Sequence, residues 1–243
     1  MDASLYPRMA AVEDEHWWFA SRRAICSRVL DRIGLPRDAA ILEPGCGTGG
    51  NFAMLARRGN LYAMDTDEAA LRFAAARGLA HLARGALPGD IPFGDMRFDL
   101  AIMTDVLEHL DDDAASLAAV HRRLKPGGWL LATVPAMQFL WSDHDAAHHH
   151  RRRYRASELS ERVAAAGFRI DYLSHYNFVL FPAIAAARII GRLRNPIGGV
   201  RHDLAMPPRA LNSILLRLFS SERHVVGAMR IPVGVSLIVL ARA

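Results

Sequence analysis

A glycine-rich turn, Glu43-Pro44-Gly45-Cys46-Gly47-Thr48-Gly49, follows a short apolar run at 39–42 and precedes a helical stretch at 51–58. Glycines let the backbone approach a ligand closely, and a helix N-terminus presents free amide groups. Gly45, Gly47 and Gly50 also satisfy the G-x-G-x-x-G pattern of dinucleotide-binding turns. The turn therefore predicts a nucleotide-type cofactor site, and its spacing leaves the class of cofactor open.

Strands and helices alternate along the chain after this turn. Apolar runs typical of strands lie at 61–64, 98–104 and 129–134, and helical stretches lie at 67–77, with Asp67 as its N-cap, and at 111–124. This alternation predicts an α/β fold with a doubly wound, mostly parallel sheet and helices on both faces. We expect one domain, with an N-terminal helical cap (1–38), a cofactor-binding core (39–176), a helical insert (177–232) and a last strand (233–243).

The composition restricts the kind of protein and its location. Hydrophobic residues make up 51% and charged residues 23%, which excludes a disordered or fibrous chain. The formal net charge of +5 favours anionic partners such as phosphates or an acidic membrane surface. Two cysteines cannot form a disulfide framework, and the acidic, aromatic start is unlike a signal peptide. We expect a cytoplasmic protein. A location at the inner face of the membrane is compatible with this expectation.

Asp65 lies at the end of the second predicted strand, twenty residues after Gly45. An acid at this place can accept hydrogen bonds from a ribose diol, a group found in nicotinamide cofactors and in other adenosine cofactors. The alternative role for Asp65 is that of a helix-capping acid.

Segments further along the chain distinguish between the cofactors. Asp99 opens a strand, Thr104-Asp105-Val106-Leu107-Glu108-His109-Leu110 follows that strand, and Leu124-Lys125-Pro126-Gly127-Gly128 closes the next helix. Together with the acidic glycine turn, these segments resemble the class I S-adenosylmethionine-dependent methyltransferases over about 39–240. The resemblance implies a seven-stranded sheet, S-adenosyl-L-methionine as the cofactor, and methyl transfer as the reaction.

The same resemblance implies which residues bind the cofactor. The glycines would wrap its amino-acid end, Asp65 would bind its ribose, and Thr104 and Asp105 would line its methionine portion. The implied set is Glu43, Gly45, Cys46, Gly47, Gly49, Asp65, Thr66, Ala86, Leu87, Thr104 and Asp105. The sequence departs from the family pattern at Gly85, where many relatives carry an acidic residue. We therefore expect no side-chain contact to the adenine amine here, and Ala86 would contact the adenine through its backbone only.

A narrower resemblance is to a bacterial subgroup of methyltransferases that often accompany polysaccharide and glycosyltransferase genes. It is carried by His16-Trp17-Trp18-Phe19 with Arg22-Arg23, by 140–145 and 150–154, and by 232–240. It implies a glycan or lipid-linked acceptor. Trp17 and Trp18 would border the acceptor and act as a lid that excludes water, with packing in the core as the alternative.

Three side chains are placed to act on an acceptor. His109 follows the fourth strand, and Asp145 and His150 lie on the loop after the fifth strand, at the edge where open α/β sheets bind ligands. Methyl transfer to a hydroxyl needs in-line alignment and removal of a proton, and a His/Asp pair is a competent base near neutral pH. We predict catalytic roles for these three residues, with a structural role as the alternative for His109.

A basic stretch follows the predicted pair. We predict that Arg152, Arg153 and Tyr154 bind a phosphate-bearing acceptor, because arginine suits bidentate phosphate recognition. A solvated basic loop is the alternative. The histidines at 144 and 148–150 match no standard zinc spacing, so we expect no metal.

The insert contains apolar helical stretches with Arg188, Arg192, Arg194 and Arg217, a pattern typical of interfacial helices and also of a lid over a site. The sequence as a whole predicts S-adenosylmethionine-dependent methyl transfer to a small or lipid-linked, phosphate-bearing hydroxylated acceptor such as a glycan precursor. The alternatives are an NAD-dependent oxidoreductase, which would need a Tyr-x-x-x-Lys pair, and a nucleic-acid-binding protein, which would need more aromatic platforms. We therefore expect no nucleic-acid partner. The sequence does not indicate an oligomeric state.

Overall fold

The computed structural model describes residues 5–194 and 205–243. Seven strands form one sheet, and the carboxyl ends of its parallel strands lie at a common edge. The strands are β1 (Ala40–Pro44), β2 (Asn60–Asp65), β3 (His81–Arg84), β4 (Phe98–Thr104), β5 (Leu124–Pro135), β6 (Arg169–Tyr176) and β7 (Ser236–Arg242). Their order across the sheet is β3-β2-β1-β4-β5-β7-β6.

Nine α-helices lie within the described residues. They are α1 (Tyr6–Val12), α2 (Trp17–Leu30), α3 (Phe52–Leu55), α4 (Glu68–Ala75), α5 (Asp113–Arg123), α6 (Asp143–Ala147), α7 (Ala156–Ala165), α8 (Phe181–Arg194) and α9 (Arg209–Ser221). Asp67 caps α4 as predicted, since its Oδ1 accepts a hydrogen bond from the backbone N–H of Ala69 at 2.7 Å.

The sheet is mixed, which refines the expectation of a mostly parallel sheet. The pairs β1 with β2, β1 with β4, β2 with β3 and β4 with β5 are parallel, whereas β7 is antiparallel to both β5 and β6. The insert returns the chain to the end of β6, where the backbone N–H of Val235 donates to the carbonyl of Asn177 at 3.3 Å. A strand that starts beside the end of its neighbour has to run in the opposite direction.

Helices cover both faces of the sheet, as the alternation predicts. On one face, α2 and α9 pack on β-strand residues through side chains such as Ile25, Val29 and Phe219. On the other face, α5 and α7 contribute Leu117, Val120, Leu159 and Val163. Neighbouring residues of a strand alternate between these two cores, as the pleat requires.

The insert contains α8 and α9, and α9 packs against α2. Among the residues that the structure covers, no helix combines the length and the apolar character needed to cross a bilayer. The expectations for the side chains of Arg192 and Arg194 lie outside what the structure describes.

Candidate active site

A cavity of about 640 Å³ opens at the carboxyl edge of the sheet, where β1, β2, β4 and β5 end. Open α/β sheets bind ligands at this edge, where strand order reverses. Most of the residues that the sequence assigns to the cofactor line the cavity: Gly45, Cys46, Gly47, Asp65, Thr66, Leu87, Thr104 and Asp105.

The glycine turn forms one wall of this cavity. Gly45 has a φ of +71°, and a Cβ at this position would lie 2.8 Å from Cγ2 of Val106. The backbone N–H groups of Gly45 and Cys46 both donate to the carbonyl of Met64, at 2.8 and 3.0 Å. A side chain at Gly45 would therefore strain the backbone and collide with the wall, whereas glycine leaves room for a ligand.

Asp65 is held beside the glycine turn. Its Oδ2 accepts a hydrogen bond from the backbone N–H of Gly47 at 2.8 Å, and its Oδ1 accepts one from the backbone N–H of Asp67 at 3.1 Å. Asp65 itself lines the cavity. The carboxylate is thus held in a fixed position at the surface of the cavity.

Glu43 lies beneath the cavity instead of on its surface, so its expected contact with the cofactor is indirect. Nδ2 of Asn51 donates to Oε1 of Glu43 at 2.8 Å and to Oγ1 of Thr104 at 2.9 Å, and both Asn51 and Thr104 line the cavity. Burial raises the pKa of Glu43 to about 8, against the lowering effect of the hydrogen bond from Asn51. Asn51 was not predicted as a site residue, because the residues next to it give no polar signal.

One further assignment shifts by a residue. Gly85 and Leu87 line the cavity, whereas Ala86, between them, pairs with Asp90 through its backbone. A Cβ at Gly85 would lie 2.6 Å from Cδ of Pro92, so an acidic side chain does not fit where many relatives carry one.

Gly49 also stands back from the cavity. A Cβ at this position would lie 2.8 Å from the ring of Phe52 and 2.9 Å from the side chain of Arg77. A side chain at this position would collide with both, and Gly49 is not among the residues that line the cavity.

Arg22 is a cavity residue to which the sequence analysis gave no role. Its guanidinium donates to Oδ2 of Asp105, and its side chain is 11% exposed. Oγ1 of Thr133 donates to Oδ1 of the same carboxylate at 2.9 Å. Because α2 and the end of β4 are more than eighty residues apart in sequence, only the fold brings this cation to the expected methionine end of the site.

The predicted His/Asp pair forms. Nδ1 of His150 lies 2.9 Å from Oδ1 of Asp145, and His150 lines the cavity while Asp145 is fully buried behind it. Burial alone would raise the pKa of Asp145, but the hydrogen bond with His150 and the charge of Arg153 outweigh it and hold this pKa well below its usual range. Asp145 is therefore ionised and orients the imidazole.

His109 lies next to His150 on the cavity wall. The two ring centroids are 4.8 Å apart and the rings are nearly perpendicular. Burial, together with the charge of His150, lowers the pKa of His109 to about 4. His109 is therefore a neutral imidazole at physiological pH.

The basic stretch is not arranged as expected. Arg152 pairs with Asp113 at 3.2 Å and donates to the carbonyl of Leu110, also at 3.2 Å. The buried hydroxyl of Tyr154 donates to the same Asp113 carboxylate at 2.6 Å. Both residues anchor the loop to the start of α5, which corrects the expectation that they face the acceptor.

Arg153 does line the cavity, but its Nε lies 2.8 Å from Oδ1 of Asp145. The nearby acids therefore already match the charges of this basic stretch, and its support for a phosphate subsite is reduced.

Trp17 and Trp18 border the cavity and also pack in the core. Their ring centroids lie 5.9 and 5.4 Å from that of Phe219 in α9. From the insert, Ile184, Ala187 and Arg188 reach the same cavity. The aromatic pair and residues of α8 thus form part of the cavity wall.

A seven-stranded sheet with an antiparallel β7 and a cavity at its glycine turn defines the class I S-adenosylmethionine-dependent methyltransferases. The chain matches the methyltransferase domain family over residues 18–173, more than half of its length, and it belongs to this family. The cofactor of the family is S-adenosyl-L-methionine, and Gly45, Asp65 and Thr104 provide a cradle that fits it.

Two similar sequences carry methyltransferase names. A probable S-adenosylmethionine-dependent methyltransferase of Mycolicibacterium smegmatis is 31% identical over 163 residues, which are 65% of this chain and 62% of that protein. The trans-aconitate 2-methyltransferase of Deinococcus radiodurans is 32% identical over 183 residues, 73% of this chain and 67% of that protein. The chain thus spans less than two thirds of the first relative.

The fold also resembles solved structures. The crystal structure of the [4+2]-cyclase SpnF matches with a TM-score of 0.64 and 19% identity, over 99% of this chain and 92% of that one. A likeness of this kind supports the fold and leaves the reaction to the side chains of the site.

Proposed function

We propose that the protein transfers the methyl group of S-adenosyl-L-methionine to a hydroxyl of a small or lipid-linked acceptor, and that a glycan precursor is the acceptor class. The observation that carries the proposal is the His150–Asp145 pair, which opens on the same cavity as the glycine turn and Asp65. The resemblance to the polysaccharide-associated subgroup supports the choice of acceptor.

The residues around the cavity divide into two ends. The cofactor supplies a methyl group on a sulfonium, which reacts by in-line displacement once donor and acceptor are aligned. Gly45 and Asp65 line the end of the cavity that binds the cofactor. Arg22 and Asp105 line the cavity at the carboxyl end of β4. At the other end, His150 is positioned to accept the proton of the acceptor hydroxyl, and neutral His109 beside it is positioned to orient that hydroxyl.

The acceptor is enclosed by Trp17, Trp18 and α8, which together exclude water from the reacting atoms. Arg152 and Arg153 already pair with Asp113 and Asp145, and these contacts reduce the support for a phosphate group on the acceptor.

We also propose that the insert touches a membrane at the inner face of the cell. In α9, Leu211, Ile214 and Leu218 are 47%, 54% and 43% exposed and recur at spacings of three and four, so they form one apolar stripe. Arg217 adds an exposed cation beside them. The division into cap, core, insert and last strand is proposed as the organisation of a single domain.

Transfer to an extract tests the function. The purified protein is incubated with radiolabelled S-adenosylmethionine and bacterial extract, and the products are partitioned between butanol and water. We expect label in the butanol phase, and the loss of that label with His150→Gln. Label in the water phase alone would show that the acceptor is soluble and would contradict a lipid-linked acceptor. A protein that binds S-adenosylhomocysteine but labels neither phase contradicts the proposal.

A further inference from the structure

Glu108 is a buried carboxylate that the proposed reaction does not use. It follows β4, is fully buried and lines the cavity. Neither of its carboxylate oxygens accepts a hydrogen bond from any other described residue. Buried polar groups are nearly always paired, because leaving one unpaired costs the desolvation of that group. This carboxylate is therefore set for a partner that the described chain does not supply.

His109 and His150 lie beside this carboxylate. One oxygen of Glu108 and one nitrogen of each histidine lie within 4.8 Å of one another, and Nε2 of His150 is 3.9 Å from Oε1 of Glu108. Ligand atoms of a tetrahedral metal ion with bonds of about 2.0–2.1 Å lie about 3.3 Å apart. Movements of about 1 Å in each side chain would close the triangle to that size.

We propose that Glu108, His109 and His150 bind one divalent transition-metal ion on the cavity wall. Two imidazole nitrogens and one carboxylate oxygen suit Zn²⁺ or Fe²⁺, whereas Mg²⁺ favours sites built from oxygen alone. Three protein ligands leave at least one coordination position open, as in catalytic zinc sites. All three residues line the cavity, so a ligand in the cavity could reach this position.

The surroundings of the triad support a cation. Asp145 bonds to Nδ1 of His150, so that Nε2 is the atom turned toward Glu108, and ligating histidines are commonly oriented by such a carboxylate. Asp145 is thus a positioning residue. Two of the arginines that line the cavity, Arg22 and Arg153, are each ion-paired with a carboxylate.

This site differs from the histidine cluster that the sequence analysis set aside. That cluster combined neighbouring histidines of one loop, whereas the proposed ligands come from the end of β4 and from the loop after β5. Local spacing therefore carries no zinc pattern, and only the fold assembles the triad.

The role that we assign to the ion rests on the proposed function, whereas the binding of the ion does not. A hydroxyl bound at the open position would lose its proton to solvent water more readily, and its oxygen would then attack the methyl group. In that case His109 and His150 would bind the ion, and neither would act directly on the hydroxyl or its proton.

Metal titration of the full chain tests the site. The protein is stripped with a chelator and titrated with Co²⁺, Zn²⁺ or Mg²⁺ in a calorimeter, with Co²⁺ also followed by its visible absorption. We expect one Co²⁺ per chain, displaced by Zn²⁺, and no binding of Mg²⁺. Glu108→Gln and His109→Gln should each weaken Co²⁺ binding at least about tenfold and change the absorption spectrum. His149→Asn alters an exposed neighbour outside the triad and should leave both unchanged.

Two results would overturn the inference: wild-type protein that binds no Co²⁺, or a folded Glu108→Gln variant with wild-type affinity and spectrum. S-adenosylhomocysteine binding is measured on the same samples. Protein that binds this ligand but no metal refutes the metal site and leaves the proposed function in place. Protein that binds metal but not this ligand supports the metal site and contradicts the proposed function.

Discussion

Nδ1 of His150 lies 2.9 Å from Oδ1 of Asp145, and Arg153 and Ser142 also hold that carboxylate. Arg153 reaches it with Nε at 2.8 Å from Oδ1 and Nη2 at 3.0 Å from Oδ2, and the backbone N–H of Ser142 donates to Oδ2 at 2.9 Å. The orientation of the imidazole is therefore set by the loop after β5 and does not depend on a ligand.

His150→Gln should lower the rate of methyl transfer by about 10²- to 10⁴-fold, because a base in the reacting position contributes that much. Affinity for S-adenosylhomocysteine should stay within a few-fold of wild type, since His150 lies at the acceptor end. Labelled transfer and calorimetry measure the two quantities. His149→Asn is the matched control, and a His150→Gln variant with nearly wild-type turnover would show that the pair has no role in the reaction.

Asp65→Ala should weaken binding of S-adenosylhomocysteine by about ten- to a hundredfold, since a hydrogen bond to a charged group is worth about 1.5–3 kcal/mol. The carboxylate stands beside Gly47 at the cavity surface. Asp67→Ala removes the neighbouring cap of α4 and should cost stability without comparable loss of affinity. Calorimetry measures the affinity of both folded variants for S-adenosylhomocysteine. Equal affinities would show that Asp65 does not bind the cofactor.

Arg22→Gln should lower the affinity for the cofactor about tenfold or more, because the largely buried cation beside Asp105 is lost from the cavity wall. Arg23→Gln is the control: Arg23 is the next residue of α2 and donates to the carbonyl of Asp14 at 2.9 Å, outside the cavity. If the two variants bind S-adenosylhomocysteine equally well, Arg22 is a structural ion pair only.

Glu43→Gln should flatten the dependence of stability on pH. Burial raises the pKa of Glu43 from its ordinary 4.5 to about 8, so the folded state binds more protons than the unfolded state between these values. The free energy of unfolding of the wild type should then fall as pH rises through this window. Urea unfolding at several pH values measures it. The exposed Glu68→Gln serves as control, and an identical slope for wild type and Glu43→Gln would contradict the prediction.

The intact protein should float with anionic liposomes at low salt and less as salt rises, because the electrostatic attraction is screened. Replacing Leu211, Ile214 and Leu218 by Gln should abolish flotation, since burial of apolar area contributes about 25 cal/mol per Å². Leu79→Gln, at an exposed apolar residue outside the insert, should have no effect. Protein that fails to float even at low salt would leave the insert as a lid alone.

The sequence predicts a strand accurately where the apolar pattern of that one segment is sufficient to indicate it. The predicted strand 98–104 matches β4, because its central apolar run at 100–103 is buried on both faces. The strand β3 was not predicted, because this short edge strand carries only partly buried and exposed side chains and has no apolar run. The direction of β7 also could not be read from its residues, since it depends on where the insert delivers the chain.

The sequence alone determined the chemistry that is local in the chain: the glycine turn, Asp65 twenty residues after it, and a His/Asp pair within one loop. The tertiary structure decided the contacts between distant segments. It pairs Arg152 with Asp113, brings Arg22 to Asp105, and places Glu108 beside His150. Charges and hydrogen bonds act over a few ångströms, and such distances between segments far apart in sequence are set only when the sheet and its covering helices pack.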